Sequence, residues 1–285
     1  MERSGMANSE QPPPPYNPSY PQNYHHGSGN KIGEAAIPPA GQHTNIGMVD
    51  SAPPVYAEAF EDVSSFSEAT IRRGFVRKVY LTLVVQLLIT VGIICAFLYW
   101  EALRTWTRRS TWFTYTMMAV TFVLIIVLSC CGNIRRAIPW NFIFLGLFTI
   151  IEGLLLGSVT VFYSVEAVLW AVGATALVCF SLSVFAMQSK WDFTAASGSI
   201  WVLCWTLLSF GLLCAILRSH YLYIAYASLA TLVFSIYLVM DTQLMLGGKH
   251  KYSISPEEYI YAALNLYLDI VTIFLMILQL IGLSR

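Results

Sequence analysis

Three acidic residues lie inside long apolar stretches of this sequence, namely Glu152, Asp241 and Asp269. A carboxylate at the centre of a bilayer costs about 2.5 to 3.5 kcal/mol on insertion scales, so an acid in such a place indicates a function. No Lys, Arg or His lies inside the same stretches away from their ends. We therefore expect these acids to be protonated, to share protons with each other, or to hold a cation from solution.

Asp241 and Asp269 are expected to meet, because a short turn joins the consecutive stretches that carry them and makes the two helices antiparallel neighbours. Asp241 lies about 9 Å of helix rise before Gly247, and Asp269 about 20 Å after Pro256. The two depths match only if the last helix starts in water. The segment SPEE at 255–258 supports this start, since it fits a capping box with proline at the first helical position.

Two carboxylates that approach to about 4 Å repel by about 4 kcal/mol at an effective dielectric near 20. The pair is therefore expected to keep one shared proton near neutral pH and to exchange it for a hard cation. Carboxylate oxygens suit Ca²⁺ better than softer metals, so Asp241 and Asp269 are the candidate Ca²⁺ ligands. Arg135 or Arg136 could act as a movable counter-ion, although their more ordinary role is to set the topology.

Further polar residues could line a path to these acids, although hydroxyls and amides more often serve as packing contacts between membrane helices. Those on the last stretch share one helical face with Asp269, because their spacing is three or four. Glu152 precedes a GxxxG pattern that permits close helix approach, so this acid is either functional or a packed, protonated side chain. The candidates are Glu152, Tyr237, Glu258, Tyr261 and Asn265.

The elements that carry these residues are membrane helices. Only 11% of the 285 residues are charged, against about a quarter in a soluble domain, and 56% are hydrophobic. The balance of 16 basic and 16 acidic residues gives no electrostatic case for nucleic acid as a partner. A bilayer core needs about 20 mostly apolar residues per helix, which predicts an all-α bundle of seven transmembrane helices. The predicted spans are 79–100, 110–134, 137–165, 167–189, 193–217, 221–248 and 259–284.

The N-terminal part of the chain has a different composition. Residues 1–64 are rich in Pro, Gly, Ser and Tyr without apolar periodicity, which predicts a disordered tail. Residues 65–78 form a short basic juxtamembrane segment, either an interfacial helix or the first turns of the first span. Residues 79–285 are the membrane domain, and membrane lipid is its first partner.

The tail contains two copies of a Pro-Pro-x-Tyr pattern. Consecutive prolines favour the polyproline II shape, and the tyrosine supplies the aromatic anchor that a WW domain binds. Two copies favour a genuine ligand for WW-domain proteins such as ubiquitin ligases, although a tail of this composition can produce such strings by chance. The residues concerned are Pro13, Pro14 and Tyr16 in one copy and Pro53, Pro54 and Tyr56 in the other.

The distribution of basic residues predicts a cytosolic N-terminus. From residue 72 onward, that orientation places nine Lys and Arg residues on the cytosolic side and five on the other. The arginines of the first loop reduce the difference in basic residues between the two sides of the membrane. All six cysteines lie inside the apolar stretches, so no extracellular disulfide framework is indicated, and a G-protein-coupled receptor is disfavoured on both counts.

The end of the chain closely resembles the transmembrane Bax-inhibitor-motif family, Lifeguard branch. The similar segments are MDTQLMLGGKH at 240–250, YSISPEEY at 252–259 and AALNLYLD at 262–269. The resemblance implies a seven-helix bundle of intracellular membranes, in the endoplasmic reticulum, Golgi, endosome or lysosome. It also implies a Ca²⁺ leak that lowers the store, responds to pH through Asp241 and Asp269, and inhibits apoptosis, with apoptotic regulators or death receptors as possible partners.

The resemblance implies no enzymatic activity and no required cofactor, with Ca²⁺ as the transported ion. It also implies an arginine that latches the aspartate pair, near Arg135 or Arg136. Two alternatives stay open. The chain could be a non-conducting scaffold whose tail recruits WW proteins, or an intramembrane aspartyl protease, which also places two aspartates on successive helices. The protease is less expected, because Met240 stands where those enzymes have tyrosine and Tyr267-Leu268-Asp269 replaces their Gly-x-Gly-Asp.

Overall fold

A computed structural model describes residues 56–130, 139–247 and 251–284, with the side chains of the first range described from residue 69 onward. Every regular element in these ranges is helical, as the sequence predicts. Eight α-helices are described, and short 3₁₀ turns at Phe193–Ala196 and Pro256–Glu258 precede α6 and α8. The helices are α1 (Tyr56–Tyr99), α2 (Glu101–Arg109), α3 (Thr111–Cys130), α4 (Trp140–Thr160), α5 (Val165–Gln188), α6 (Ser197–Leu217), α7 (His220–Leu246) and α8 (Tyr259–Ser284).

The described part of the chain contains seven helices that are long and apolar enough to cross a membrane, which confirms the predicted number of spans. All except α2 are spanning helices. Successive spans cross in opposite directions, so α3, α5 and α7 end on the side where α1 enters the membrane. We call this side the N side. The spans are Ala69–Tyr99, Thr111–Cys130, Trp140–Thr160, Val165–Gln188, Phe193–Leu217, His220–Leu246 and Pro256–Ser284.

The basic juxtamembrane segment at 65–78 is the beginning of the first membrane helix. Helix α1 is continuous from Tyr56 to Tyr99, so it also includes residues 56–64, which the composition assigned to the tail. Several alanines and glutamates in 56–68 favour a helix and give a local reason for this early start. The rest of the predicted tail, residues 1–55, lies outside the described residues.

Helix α8 lies at the centre of the bundle. It packs against α1, α4, α5 and α7, whereas α3 packs mainly on α4 and α6 mainly on α7. Its side chains Ile260, Leu264 and Tyr267 are almost completely buried. The last membrane helix is therefore the core element around which the other helices are arranged, and any group that it carries at mid-depth is remote from water.

The GxxxG pattern of α4 packs closely against α1. A Cβ atom on Gly153 would lie 2.7 Å from Cδ1 of Ile93, and one on Gly157 would lie 2.6 Å from Cδ2 of Phe97. Real Cβ contacts are longer than this, so the two glycines allow a distance between α1 and α4 that larger residues would prevent. The close approach expected from the sequence pattern is present in the structure.

Helix α2 connects the first two spans on the side opposite the N side. The guanidinium of Arg108 donates to the carbonyl of Val161 at 2.9 and 2.6 Å, and that of Arg104 donates to the carbonyl of Tyr163 at 3.5 Å. Both carbonyls lie just beyond the end of α4, where cationic side chains stabilise unpaired helix carbonyls. These arginines therefore have a local structural role, which explains basic residues in a loop on that side.

Candidate functional site

The structure brings Asp241 and Asp269 together. Their carboxyl groups are close enough to hydrogen-bond each other. Asp241 is 7% exposed and Asp269 is 6% exposed, so the pair is nearly dry. The antiparallel packing of α7 against α8 produces this contact.

The end of α7 is buried on all of its faces, which fixes the position of Asp241. Residues 238–243 are all buried, a run that exceeds one helical turn. A helix that is buried all round lies inside a protein rather than on its surface. Asp269 lies near the middle of α8, the central helix. Both carboxylates are therefore held by rigid, well-packed elements.

No basic side chain neutralises this pair among the residues that the structure describes. Oδ2 of Asp269 has no hydrogen-bond partner there. Tyr237 lies within electrostatic reach of both aspartates, and Cys179 lies within electrostatic reach of Asp269. The hydroxyl of Tyr237 donates to the carbonyl of Ile200 at 3.2 Å. Two carboxyl groups in such a place must share a proton or hold a cation, because two bare charges would repel strongly.

The predicted polar face of the last helix leads towards Asp269. Glu258, Tyr261 and Asn265 are half-buried, whereas Asp269 is buried, so burial increases from the N side inward. The expected capping box before this face is not formed, because the side chain of Ser255 makes no capping hydrogen bond. Its carbonyl instead accepts from the amide of Glu258 at 2.9 Å in a 3₁₀ turn, and α8 begins only at Tyr259.

Arg135 and Arg136, the predicted counter-ions, lie outside the described residues, so the structure does not place them. It does place Arg72 of α1 at the turn between α7 and α8, which the sequence did not indicate. Nη1 of Arg72 donates to the carbonyl of Ile254 at 2.6 Å, and its guanidinium lies against Gly247. Gly247 has a φ of 59°, which favours glycine, and the adjacent guanidinium leaves no room for a Cβ.

A second group of contacts ties the end of α7 to the segment between α5 and α6. Nε2 of Gln243 donates to the carbonyl of Trp191 at 2.9 Å, and Oε1 accepts from the amide of Phe193 at 2.8 Å. Asp192 accepts from the amide of Lys251 at 2.8 Å. Gln243 is fully buried two residues after Asp241, and no local pattern in the sequence indicates this tie.

Glu152 belongs to a different place in the bundle. It is 4% exposed and lies near Thr121 of α3 and within electrostatic reach of Tyr267 of α8, while its Oε2 has no hydrogen-bond partner. The hydroxyls of Tyr267 and Thr90 are 2.8 Å apart. Tyr267 and Asp269 are two residues apart on a helix and therefore point to nearly opposite sides. The structure thus does not join Glu152 to the aspartate pair.

The two Pro-Pro-x-Tyr motifs lie almost entirely outside the described residues. Pro13, Pro14, Tyr16, Pro53 and Pro54 lie outside the described residues, and only the backbone of Tyr56, the first residue of α1, is described. Their role as WW ligands stays a prediction.

The fold and the site define a class: a multi-pass membrane protein of seven helices with a dry carboxyl pair between its last two helices. The family model described as inhibitor of apoptosis-promoting Bax1 matches residues 72–285. The chain therefore belongs to this family, the transmembrane Bax-inhibitor-motif family, as the resemblance in its C-terminal segments predicted.

Relatives extend the match to nearly the whole chain. The chain is 38% identical to human protein lifeguard 3 over 276 residues, which is 95% of this chain and 82% of that protein. It is 34% identical to mouse protein lifeguard 3 over 308 aligned positions, which cover 97% of this chain and 99% of that protein. It is 36% identical to Bax inhibitor 1 of Schizosaccharomyces pombe over 251 residues, which cover 82% of this chain and 91% of that protein. The similarity to the Lifeguard branch is thus confirmed.

Proposed function

We propose that this chain is a pH-sensitive Ca²⁺ leak channel of intracellular membranes that lowers the Ca²⁺ content of the store and thereby inhibits apoptosis. The observation that carries the proposal is the contact between the buried carboxyl groups of Asp241 and Asp269. The inhibition of apoptosis is supported by the family, whose description names an inhibitor of apoptosis-promoting Bax1.

Charge balance links the pair to protons and Ca²⁺. With one shared proton the pair carries a single negative charge, and with none it carries two, which match the charge of Ca²⁺. Carboxylate oxygens are ligands that Ca²⁺ prefers, and a site with few ligands releases the ion readily. The half-buried face of Tyr261 and Asn265 gives ions and protons a polar approach from the N side. Acidification protonates both carboxyl groups, so that they no longer bind Ca²⁺ and its path is closed.

The test is Ca²⁺ flux into liposomes that contain the purified full-length chain, measured at several pH values. Wild type should conduct more as the pH rises, and Asp241→Asn and Asp269→Asn should abolish this pH dependence. Glu257→Gln is the matched control, because it makes the same acid-to-amide change on an exposed residue. Equal flux in wild type and both Asn variants at every pH would disprove the role of the pair.

The proposed location is the endoplasmic reticulum, Golgi or endolysosomal membrane, with the N side facing the cytosol. The excess of Lys and Arg on that side supports this orientation. Arg104 and Arg108 lie on the opposite side, and their hydrogen bonds to carbonyls near the end of α4 give them a structural role. Their presence there is therefore consistent with this orientation. Protease protection in sealed microsomes tests it, since an N-terminal tag should be digested without detergent.

The two Pro-Pro-x-Tyr motifs favour a second candidate function, a scaffold that recruits WW-domain ubiquitin ligases. The double change Tyr16→Ala and Tyr56→Ala should abolish capture of a WW-domain protein and leave the liposome flux unchanged. If the chain is only a scaffold, the aspartate variants will show the same Ca²⁺ flux and the same capture of WW-domain proteins as wild type. A protease would instead be revealed by cleavage of a substrate that either Asp→Ala change abolishes.

A further inference from the structure

Two neighbouring cavities form a continuous groove on the side of the bundle. Leu87 of α1, Cys179 of α5 and Ile270 of α8 line both of them. The groove therefore runs between α1 and α5 with α8 as its floor. We call it the α1–α5 groove, and none of its residues belongs to the functions proposed above.

The groove opens sideways. Its deep residues are buried, with Leu266 of the floor at 2% exposure and Thr175 and Cys179 of the α5 wall at 4% and 8%. Its rim is open, with Val84 at 52% and Phe180 at 70% exposure. Because both walls are membrane-spanning helices, this mouth faces the hydrocarbon of the bilayer.

The deep part of the groove offers a ligand only apolar contacts. Its two hydroxyl-bearing residues, Thr90 and Thr175, are already paired inside the protein. Thr90 donates to the carbonyl of Gln86 at 2.9 Å, and Thr175 donates to the carbonyl of Ala171 at 2.7 Å. A polar ligand would lose its hydration there without new partners, whereas a hydrocarbon chain would lose nothing. The interior therefore fits an acyl chain.

The end of the groove on the N side is polar. Tyr80 and Ser183 line the groove there, and both carry hydroxyl groups. Arg77 lies one turn before Tyr80 on α1, and Lys190 lies just beyond the end of α5; both are exposed. Two cations at this end complement an anionic head group.

We propose that the α1–α5 groove binds an anionic phospholipid, with one acyl chain in the groove and the head group at Arg77 and Lys190. In this position the acyl chain contacts Cys179, which lies within electrostatic reach of Asp269, and Ile270, the residue that follows Asp269. The bound lipid thus lies against the helix that carries Asp269.

The test uses the full-length chain in nanodiscs that contain phosphatidylserine with a photoactivatable diazirine in its acyl chain. After irradiation, mass spectrometry of peptides should find the label on α1 and α5 residues of the groove. Ala176→Phe and Val91→Phe place a ring at the mouth from the α5 and α1 walls respectively, and each should remove this label. Ala119→Phe, the same change on the exposed surface of α3, should not.

The head-group requirement is tested separately with the matching photoactivatable phosphatidylcholine. It should label the groove less than phosphatidylserine does, and Arg77→Gln with Lys190→Gln should remove the difference. Gel filtration and circular dichroism confirm that each variant is folded. Label spread evenly over all lipid-facing helices, or unchanged by both ring substitutions, would overturn the acyl-chain site. Equal labelling by the two lipids in wild type would overturn the anionic head group.

Discussion

Replacing Gln243 by leucine should loosen the end of α7 that carries Asp241. The change removes two hydrogen bonds, one to the carbonyl of Trp191 at 2.9 Å and one from the amide of Phe193 at 2.8 Å. Each hydrogen bond contributes about 0.5 to 1.5 kcal/mol net, so the tie loses about 1 to 3 kcal/mol. Since every 1.4 kcal/mol is a factor of ten, the segment between α5 and α6 should open about 5 to 140 times more often.

Hydrogen–deuterium exchange of the full-length chain in nanodiscs measures this opening. Amides at 189–196 and 251–255 should exchange faster in Gln243→Leu, because both segments are held to the end of α7 directly or through Asp192. Amides of α2, on the opposite side of the membrane, should not change. Gln279→Leu is the matched control, since Gln279 lies near the other end of α8. Unchanged exchange at 189–196 would refute the proposed tie.

Three other changes give distinct outcomes. Wild-type Ca²⁺ flux should fall as the pH is lowered, because protons replace Ca²⁺ on the carboxylates, and Asp269→Asn should flatten this profile in the liposome assay. Gly157→Ala should lower the stability of the protein by about 1 to 3 kcal/mol, because the added methyl group overpacks the contact with α1. Gly146→Ala is the control, since a Cβ there meets nothing within 4 Å and should not lower the stability. Equal melting temperatures of the two variants would contradict the close packing of Gly157 on α1. Arg72→Gln should increase proteolysis of the turn at 251–255, because it weakens the hydrogen bond to the carbonyl of Ile254. Arg73→Gln, a change of an exposed arginine, is the control. Equal cleavage of the two variants would show that Arg72 does not hold the turn.

The features that the sequence predicts correctly rest on strong local signals. Long apolar stretches determine the seven spans, because a bilayer requires a fixed helix length. The meeting of Asp241 and Asp269 follows from antiparallel neighbours and a count of helical rise. Gly153 and Gly157 predict close packing, because the lack of a Cβ in a membrane helix lets a neighbouring helix approach the backbone.

The features that the sequence does not predict depend on long-range contacts. Arg72 and Ile254 are 182 positions apart, and no local pattern relates them. Gln243 resembles any polar residue near a helix end until the segment between α5 and α6 is placed beside it. The capping box at Ser255 has the right residues, but the chain adopts a 3₁₀ turn in which the backbone carbonyl of Ser255 accepts the hydrogen bond.

The central position of α8 separates two buried acidic sites and predicts that they act independently. On one side of the helix the hydroxyl of Tyr267 contacts that of Thr90 and lies within electrostatic reach of Glu152, while on the other side Asp269 contacts Asp241. A continuous helix lies between the two sites, and the 3.6-residue period keeps their side chains apart. Glu152→Gln preserves the shape of the side chain but removes its charge. The pH profile of Ca²⁺ flux should therefore remain that of wild type in Glu152→Gln, whereas a shifted profile would show that the acids titrate as one system.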